Sequence, residues 1–384
     1  MSELLTFFQD RRGDMVELLK TLVSYETPTR DKASVDKMGA FMEARFNELG
    51  ASSVTRIPQA EVGDLLLAKW NEDALGKPIM FLIHIDTVWP LGTLAERPTY
   101  IDDQDRLFGP GAIDMKGGIT IVLETLRGLK DRGEMPDRPI WVLMTSDEEV
   151  GSVYSNATIK AESPKVGLVL VMEPATIDEA LKTMRKGVAT YRLDIEGLPS
   201  HAGNQPEKGV NAIIEFANQA LIINRMNDLK NGRSVSVTMV EGGSATNVIP
   251  AHVTAFVDTR AISVQQFEET EGMLLELQAV VPGAKLKIER INGHTPMERN
   301  DAMVGNYQQA KRLGEAQGLT ITEASSGGGS DGNTVASLGV AVLDGLGPQG
   351  DGLHALHEHV VLNSMPRRCT LIAAMLKDWV FEEE

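Results

Sequence analysis

Acids and imidazoles recur at the ends of apolar runs along this chain, which is how a cation site is assembled from strand ends. The run at 78–85 (PIMFLIHI) closes on His84-Ile85-Asp86. In an extended segment residues two apart point to the same side, so His84 and Asp86 can share one site, either as two ligands or as a ligand and the group that orients it. Asp114 lies in the stretch GPGAIDMKGG at 109–118. Its glycines imply a tight turn that delivers the acid into a crowded place, and an Asp there also suits a helix N-cap. Asp147-Glu148-Glu149 follows the apolar run 139–145 after Ser146, and Glu173 directly follows the run 166–172. Acids gathered in one place repel one another unless a cation holds them. The tail reads GLHALHEH at 352–359 and offers His354, His357 and His359, among which spacing alone does not choose. With a single cysteine, Cys369, a thiolate cluster is excluded, so a metal must be held by His, Asp and Glu. Zn²⁺ accepts that donor set, and a pair of ions sharing one carboxylate suits amide hydrolysis. Mn²⁺ or Co²⁺ can substitute on ligand type.

Further residues carry two readings each. His201, in LPSHAG at 198–203, is either a turn residue or a group that stabilises charge developing on a carbonyl oxygen. Asn247, in GGSATNVIP, is a polar substrate contact or a turn former. Arg260, after Asp258, is a surface ion-pair partner or the receptor for a substrate carboxylate. The stretch SSGGGSDGN at 325–333 is a linker or an anion-holding loop built from backbone N–H groups.

The elements that must position these groups follow from periodicity. Helical spacing marks 4–22 and 34–49, the second stopped by Gly50, and a helix over 116–131 opens at a glycine pair. Residues 64–70, 78–85, 139–145 and 166–172 read as strands, the last three apolar nearly throughout, as strands buried on both faces are. Strands alternating with helices predict an α/β unit with a mostly parallel central sheet flanked by helices. From about 186 the pattern becomes β-α-β-β-α-β, a ferredoxin-like α+β module with an antiparallel sheet. Its strands fall near 188–197, 234–241, 251–259 and 284–291, and its helices at 208–227 and 264–279. The α/β pattern then returns, with a helix at 299–317, short strands at 320–324 and 339–343, and a last helix from about 365. The expected organisation is a discontinuous domain, 1–185 with 297–384, interrupted by an inserted module at 186–296.

The 384 residues carry a net charge of −17, which repels nucleic acid and excludes an unspecific nucleic-acid binder. No stretch approaches the roughly 18 uninterrupted apolar residues of a membrane span. The opening residues MSELLTFFQDRRGDM lack a cationic start followed by an apolar run, so no export signal is expected and the cytoplasm is the expected location.

Taken in order, His84-x-Asp86, Gly111-x-x-Asp114-Met115-Lys116-Gly117-Gly118, Asp147-Glu148-Glu149, Glu173 and the late histidine resemble the M20 metallopeptidases, and within them the glutamate carboxypeptidase, carboxypeptidase G2-like, branch. The resemblance runs across essentially the whole chain. It implies a zinc-exopeptidase-like catalytic domain, an inserted lid and dimerisation domain, and two zinc ions per subunit. It assigns His84 and Glu173 to one ion, Glu149 and the late histidine to the other, and Asp114 to both. The pattern G-x-H-x-x-x-E, matched at Gly352 to Glu358, makes His354 the late ligand. Asp86 then orients His84, and Glu148 is the general base. His201 matches a histidine that reaches the partner subunit's site, which implies a homodimer. Asn247, Arg260 and the loop with Gly328, Gly329, Ser330 and Asn333 match substrate contacts. The expected substrate is a small peptide or N-acyl amino acid, cleaved at the amide to a C-terminal amino acid. The family alternatives are a dipeptidase and an N-acyl-amino-acid deacylase or deacetylase, and the non-enzyme alternative is a metal-containing binding or scaffold protein. One departure bears on specificity. The branch often has an Arg before a Pro after the last strand of the module, where this chain has Gly293-His294-Thr295-Pro296, leaving Arg260 as the candidate carboxylate receptor.

Overall fold

The computed structural model describes residues 2–381. The chain forms two compact units. The smaller comprises Met184–Glu298 with the short piece Ser326–Gly329, and the larger comprises the residues before and after, including Arg299–Ser325 and the chain from Ser330 onward.

The core of the larger unit is a six-stranded sheet in the order Ser53–Ile57, Leu65–Trp70, Ile140–Thr145, Ile79–His84, Leu168–Val171, Val342–Leu343. The Ile79–His84 strand is parallel to both neighbours, and Val342–Leu343 is parallel to Leu168–Val171. Leu65–Trp70 runs antiparallel to both of its neighbours, so the sheet is mixed, with its parallel part at the centre. All six residues of Ile79–His84 are buried, which is why its sequence is apolar without alternation. Helices Gly117–Asp131 and Ser364–Asp378 pack on one another and are buried almost throughout.

The N-terminal helical pattern is broken. Helix Glu3–Asp10, capped by the Ser2 hydroxyl, ends at Arg11, and a second helix runs Arg12–Val23. Arg11 leaves helical geometry and turns its guanidinium to Asp131 at 2.9 Å and the buried Glu124 at 3.5 Å, a tertiary attraction that periodicity does not reveal. The strand expected at 320–324 begins later, as Glu323–Ser326.

The smaller unit has the order β-α-β-β-α-β: strand Gly187–Glu196, helix Ala212–Asn224, strands Ser234–Gly242 and His252–Ala261, helix Val264–Leu275, strand Lys285–His294. Its sheet order is Ser234–Gly242, His252–Ala261, Gly187–Glu196, Lys285–His294, antiparallel throughout. Inward residues of the two central strands, Tyr191, Leu193, Ala255 and Val257, form its core with Phe267 and Leu274. The first helix starts at Asn211, whose side chain accepts from the N–H groups of Ile213 and Ile214, so it is shorter than the apolar pattern at 208–227 suggests.

Among the described residues, no helix is long and apolar enough to cross a membrane.

Candidate two-metal centre

Three neighbouring parallel strands end on the same side of the larger unit's sheet, the usual place for a ligand site in such folds. His84 is the last residue of one strand, Glu148 and Glu149 follow the end of the second, and Glu173 follows the third. Asp114 arrives from a turn in which Gly111 has φ 71°, and a Cβ there would meet the Thr87 side chain at 2.6 Å. Gly118, opening the next helix, lies so close to the Met172 carbonyl that an added Cβ would sit 2.2 Å from its oxygen. That contact brings the Asp114 turn against the strand that ends in Glu173.

The side chains converge. Asp114 Oδ1 lies 3.2 Å from His84 Nε2, and its Oδ2 lies 3.3 Å from His354 Nε2. His84 Nε2 is also 3.5 Å from Glu173, and His354 Nε2 is 3.0 Å from Glu149. Asp114 thus offers one oxygen to each imidazole, with a second carboxylate beside each. Glu148 is close as well: its carboxylate and ligand atoms of His84 and Glu173 fall within 4.8 Å of one another, as do those of His84, Asp114 and Glu149. These are two clusters of metal-ligand side chains, the donor set of a binuclear centre.

The electrostatics favour cations here. Burial opposes charge on His84, yet contacts with Asp114, Asp86 and Glu173 hold its pKa well above the ordinary value. Hydrogen bonds that Asp114 and Glu149 accept from its ring raise His354 to about 10. Burial raises the Glu149 carboxyl to about 7, reinforced by the charge of Asp114. Burial, with Glu173, Asp331 and Glu149 nearby, pushes Glu148 well above the carboxylate range. A group of acids this crowded draws protons onto itself when nothing else neutralises it, so the residues fit a pair of divalent ions.

Asp86 is fully buried and holds several parts of the site together. Its Oδ1 is 3.3 Å from His84 Nδ1 and accepts the Glu148 N–H at 3.3 Å, while its Oδ2 accepts from the Thr29 hydroxyl at 2.7 Å and the Glu149 N–H at 3.2 Å.

Of the late histidines, His354 enters the cluster. His359 is buried in a strand, its ring 4.9 Å from Phe108, and His357 is exposed. Ser330 and Asn333 are buried at a helix start, where they form a reciprocal cap, and the Ser330 hydroxyl also donates to Asp344 at 2.7 Å. Their side chains are committed to that turn. His201, Asn247, Arg260, Gly328 and Gly329 belong to the smaller unit. There His201 is exposed and its Nδ1 accepts from the N–H groups of Gly203 and Asn204. The Asn247 carbonyl accepts from the Ala202 N–H, and Arg260 makes a two-pronged pair with Asp258. The carbonyls of Gly328 and Gly329 accept from Arg185 at 3.2 Å each.

Two acids beside the cluster were given no role from the sequence. Asp331, buried and hydrogen-bonded by the Ser152 hydroxyl, is raised to about 7 by its burial. Its signal was its place in the polar end of the 325–333 stretch. Glu358 is also fully buried; its signal was its fixed spacing from His354.

Comparison with known proteins shows the family and the fold. The chain is 32% identical over 382 residues to carboxypeptidase G2 of Pseudomonas sp. (strain RS-16), covering 96% of this chain and 90% of that protein. It is 28% identical over 398 residues to succinyl-diaminopimelate desuccinylase of Thioalkalivibrio sulfidiphilus (strain HL-EbGR7), covering 96% of this chain and all of that one, 100%. Its fold matches a tripeptidase from Staphylococcus aureus with a TM-score of 0.78 at 19% identity, over 95% of this chain and 98% of the other. A family model described as peptidase family M20/M25/M40 matches residues 80–378, and with its binuclear donor set the chain belongs to that family of metal-dependent hydrolases.

Proposed function

We propose that this amide hydrolase is an N-acyl-amino-acid deacylase, releasing a free amino acid from a small acyl group. The observation that carries the reading is Asp114 placed between His84 and His354, one oxygen to each, with the Glu148 carboxylate alongside. Two zinc ions, when bound, would supply the Lewis acidity that makes water nucleophilic and polarises the amide carbonyl. His84 and Glu173 would hold one ion, Glu149 and His354 the other, and Asp114 both. Asp86 would fix the His84 ring through Nδ1. Glu148 would take the proton from the attacking water and hand it to the departing nitrogen.

Two observations favour the deacylase reading. A relative whose match covers 96% of this chain is named for removing a succinyl group. The segment before Pro296 carries His294 and no Arg, so the cation expected for a terminal glutamate carboxylate is missing there. The second reading, a carboxypeptidase acting at a C-terminal amino acid, is supported by the 32% identity to carboxypeptidase G2. Relative kcat/KM of the zinc-loaded protein on N-succinyl and N-acetyl amino acids, N-acylglutamates and dipeptides separates them. A preference of tenfold or more for N-acylglutamates over all other N-acyl amino acids would overturn the first reading in favour of the second.

We also read the smaller unit as a lid and dimerisation element. Supporting this, its edge strand Ser234–Gly242 exposes Met239 and Val240, and helix Ala212–Asn224 exposes Ile214 and Leu221. His201 keeps the role that the resemblance implies, contributing to the partner's centre. Mixing His201→Ala with Glu148→Gln subunits should then restore part of the activity that each lacks alone, and no recovery would remove that role.

A further inference from the structure

Glu358 is buried in the larger unit and carries no assigned role. Each of its oxygens receives two donors. Oε2 accepts the Gly111 N–H at 2.9 Å and the Trp89 indole N–H at 2.7 Å, and Oε1 accepts the N–H groups of Ile113 at 3.1 Å and Asp114 at 3.3 Å. A carboxylate has about four lone-pair directions, and all are taken, so this acid has no lone pair left for an ion. Three of the four donors are backbone groups of the turn that presents Asp114, one of them the amide of Asp114 itself. The same acid sits four residues after His354, in a loop held further by Arg97, which stacks on Trp89 and donates to the Leu356 carbonyl at 2.7 Å.

We propose that Glu358 is a positioning residue for the metal centre, strapping the Asp114 turn to the His354 loop so that the carboxylate between the two imidazoles is set in one place. The proposal rests on the two-metal reading above. The strap acts on the backbone of the shared ligand, so its loss weakens both ions together. A group that oriented only one ligand would weaken one ion.

Glu358→Gln is nearly isosteric and replaces one oxygen by an NH₂ that must face two N–H donors. Metal-free wild-type and variant proteins are titrated with Co²⁺, following its visible absorption, with chelator competition for affinity. Wild type should take up two equivalents. Glu358→Gln should bind both 10–100-fold more weakly, the usual effect of losing a partner that orients metal ligands, with an altered spectrum. Glu358→Asp, which restores both oxygens on a shorter arm, should recover part of the affinity.

Glu215 provides the control. It is buried in the smaller unit and accepts the N–H groups of Val280 and Val281 and the Gln219 amide. Glu215→Gln should lower the melting temperature of the metal-free protein and leave the Co²⁺ titration as in wild type. A Glu358→Gln protein that melts lower but titrates and absorbs like wild type would show that Glu358 only stabilises the fold, and the proposal fails. Should Glu358→Gln not fold, Trp89→Phe decides: it removes one donor and should weaken Co²⁺ binding several-fold, and an unchanged titration overturns the proposal. Wild-type protein that takes up no Co²⁺ refutes the two-metal reading itself, whereas two equivalents in wild type and an identical Glu358→Gln titration refute only the strap.

Discussion

Glu148→Gln tests the proposed chemistry most directly, because the two roles open to Glu148 lead to different outcomes. The side chain is of almost unchanged size, so the Glu148 N–H bond to Asp86 at 3.3 Å should persist. What changes is the ability to accept a proton. A positioned general base contributes roughly 10²–10⁴-fold, so kcat should fall by that factor, about 3–5 kcal/mol at about 1.4 kcal/mol per decade. Stability should move little or upward. The Glu148 and Glu173 carboxylates lie within 4.8 Å in the cluster, and at an effective dielectric near 20 like charges at that separation would repel by about 3.5 kcal/mol, which together with burial is why Glu148 holds its proton well above the carboxylate range. Gln removes that repulsion, and burying it costs less than burying a carboxylate. Metal content should stay at two ions.

The assay is a paired one: metal per chain by elemental analysis, and single-turnover rate on the best N-acyl amino acid, both on zinc-loaded protein. Normal turnover with two ions bound would refute the base assignment. Loss of one ion with loss of turnover would instead make Glu148 a ligand, as its place beside His84 and Glu173 permits, and the assignment of roles in the cluster would have to be redrawn.

Asp86→Asn leaves one acceptor oxygen for the four donors around that side chain, so metal affinity should drop about 10–100-fold, read by Co²⁺ titration, and undiminished affinity would contradict its orienting role. Gly118→Ala places a methyl 2.2 Å from the backbone oxygen of Met172, which cannot swing aside as a side chain can; it should cost about 1–3 kcal/mol and lower activity by shifting Glu173, and a thermal midpoint equal to wild type would contradict this. Removing the metals with a chelator should lower the melting midpoint, since a ligand present at 100 times its Kd contributes about 2.7 kcal/mol, and re-addition of Zn²⁺ should restore it; a midpoint indifferent to chelation would count against a resident ion pair. Met239→Lys with Val240→Glu on the exposed edge strand should convert a dimer to a monomer in sedimentation velocity, and an unaltered sedimentation coefficient would place the interface elsewhere.

Much of the fold was legible because its signals are local. The run at 78–85 is apolar without alternation since Ile79–His84 is covered on both faces, and the alternation after residue 186 reports strand Gly187–Glu196 with one face inward. Where a remote partner intervened, the local signal misled. The helix expected at 4–22 breaks at Arg11, drawn toward Glu124 and Asp131, and the strand expected at 320–324 starts three residues later. The smaller unit also includes Ser326–Gly329, a short return of chain with no pattern of its own.

The sequence by itself determined which residue types stand at the ends of the buried strands, because an unbroken apolar run marks a strand covered on both faces and the residues that follow it are read directly. It also determined the order of the elements, since periodicity is a property of neighbours along the chain. Only the tertiary structure decided that Asp114 offers one oxygen to His84 and the other to His354, that His359 is packed against Phe108, and that Glu358 holds the turn on which Asp114 sits. Those contacts join residues from 30 to more than 240 positions apart. They depend on loop paths and burial, which no local pattern encodes.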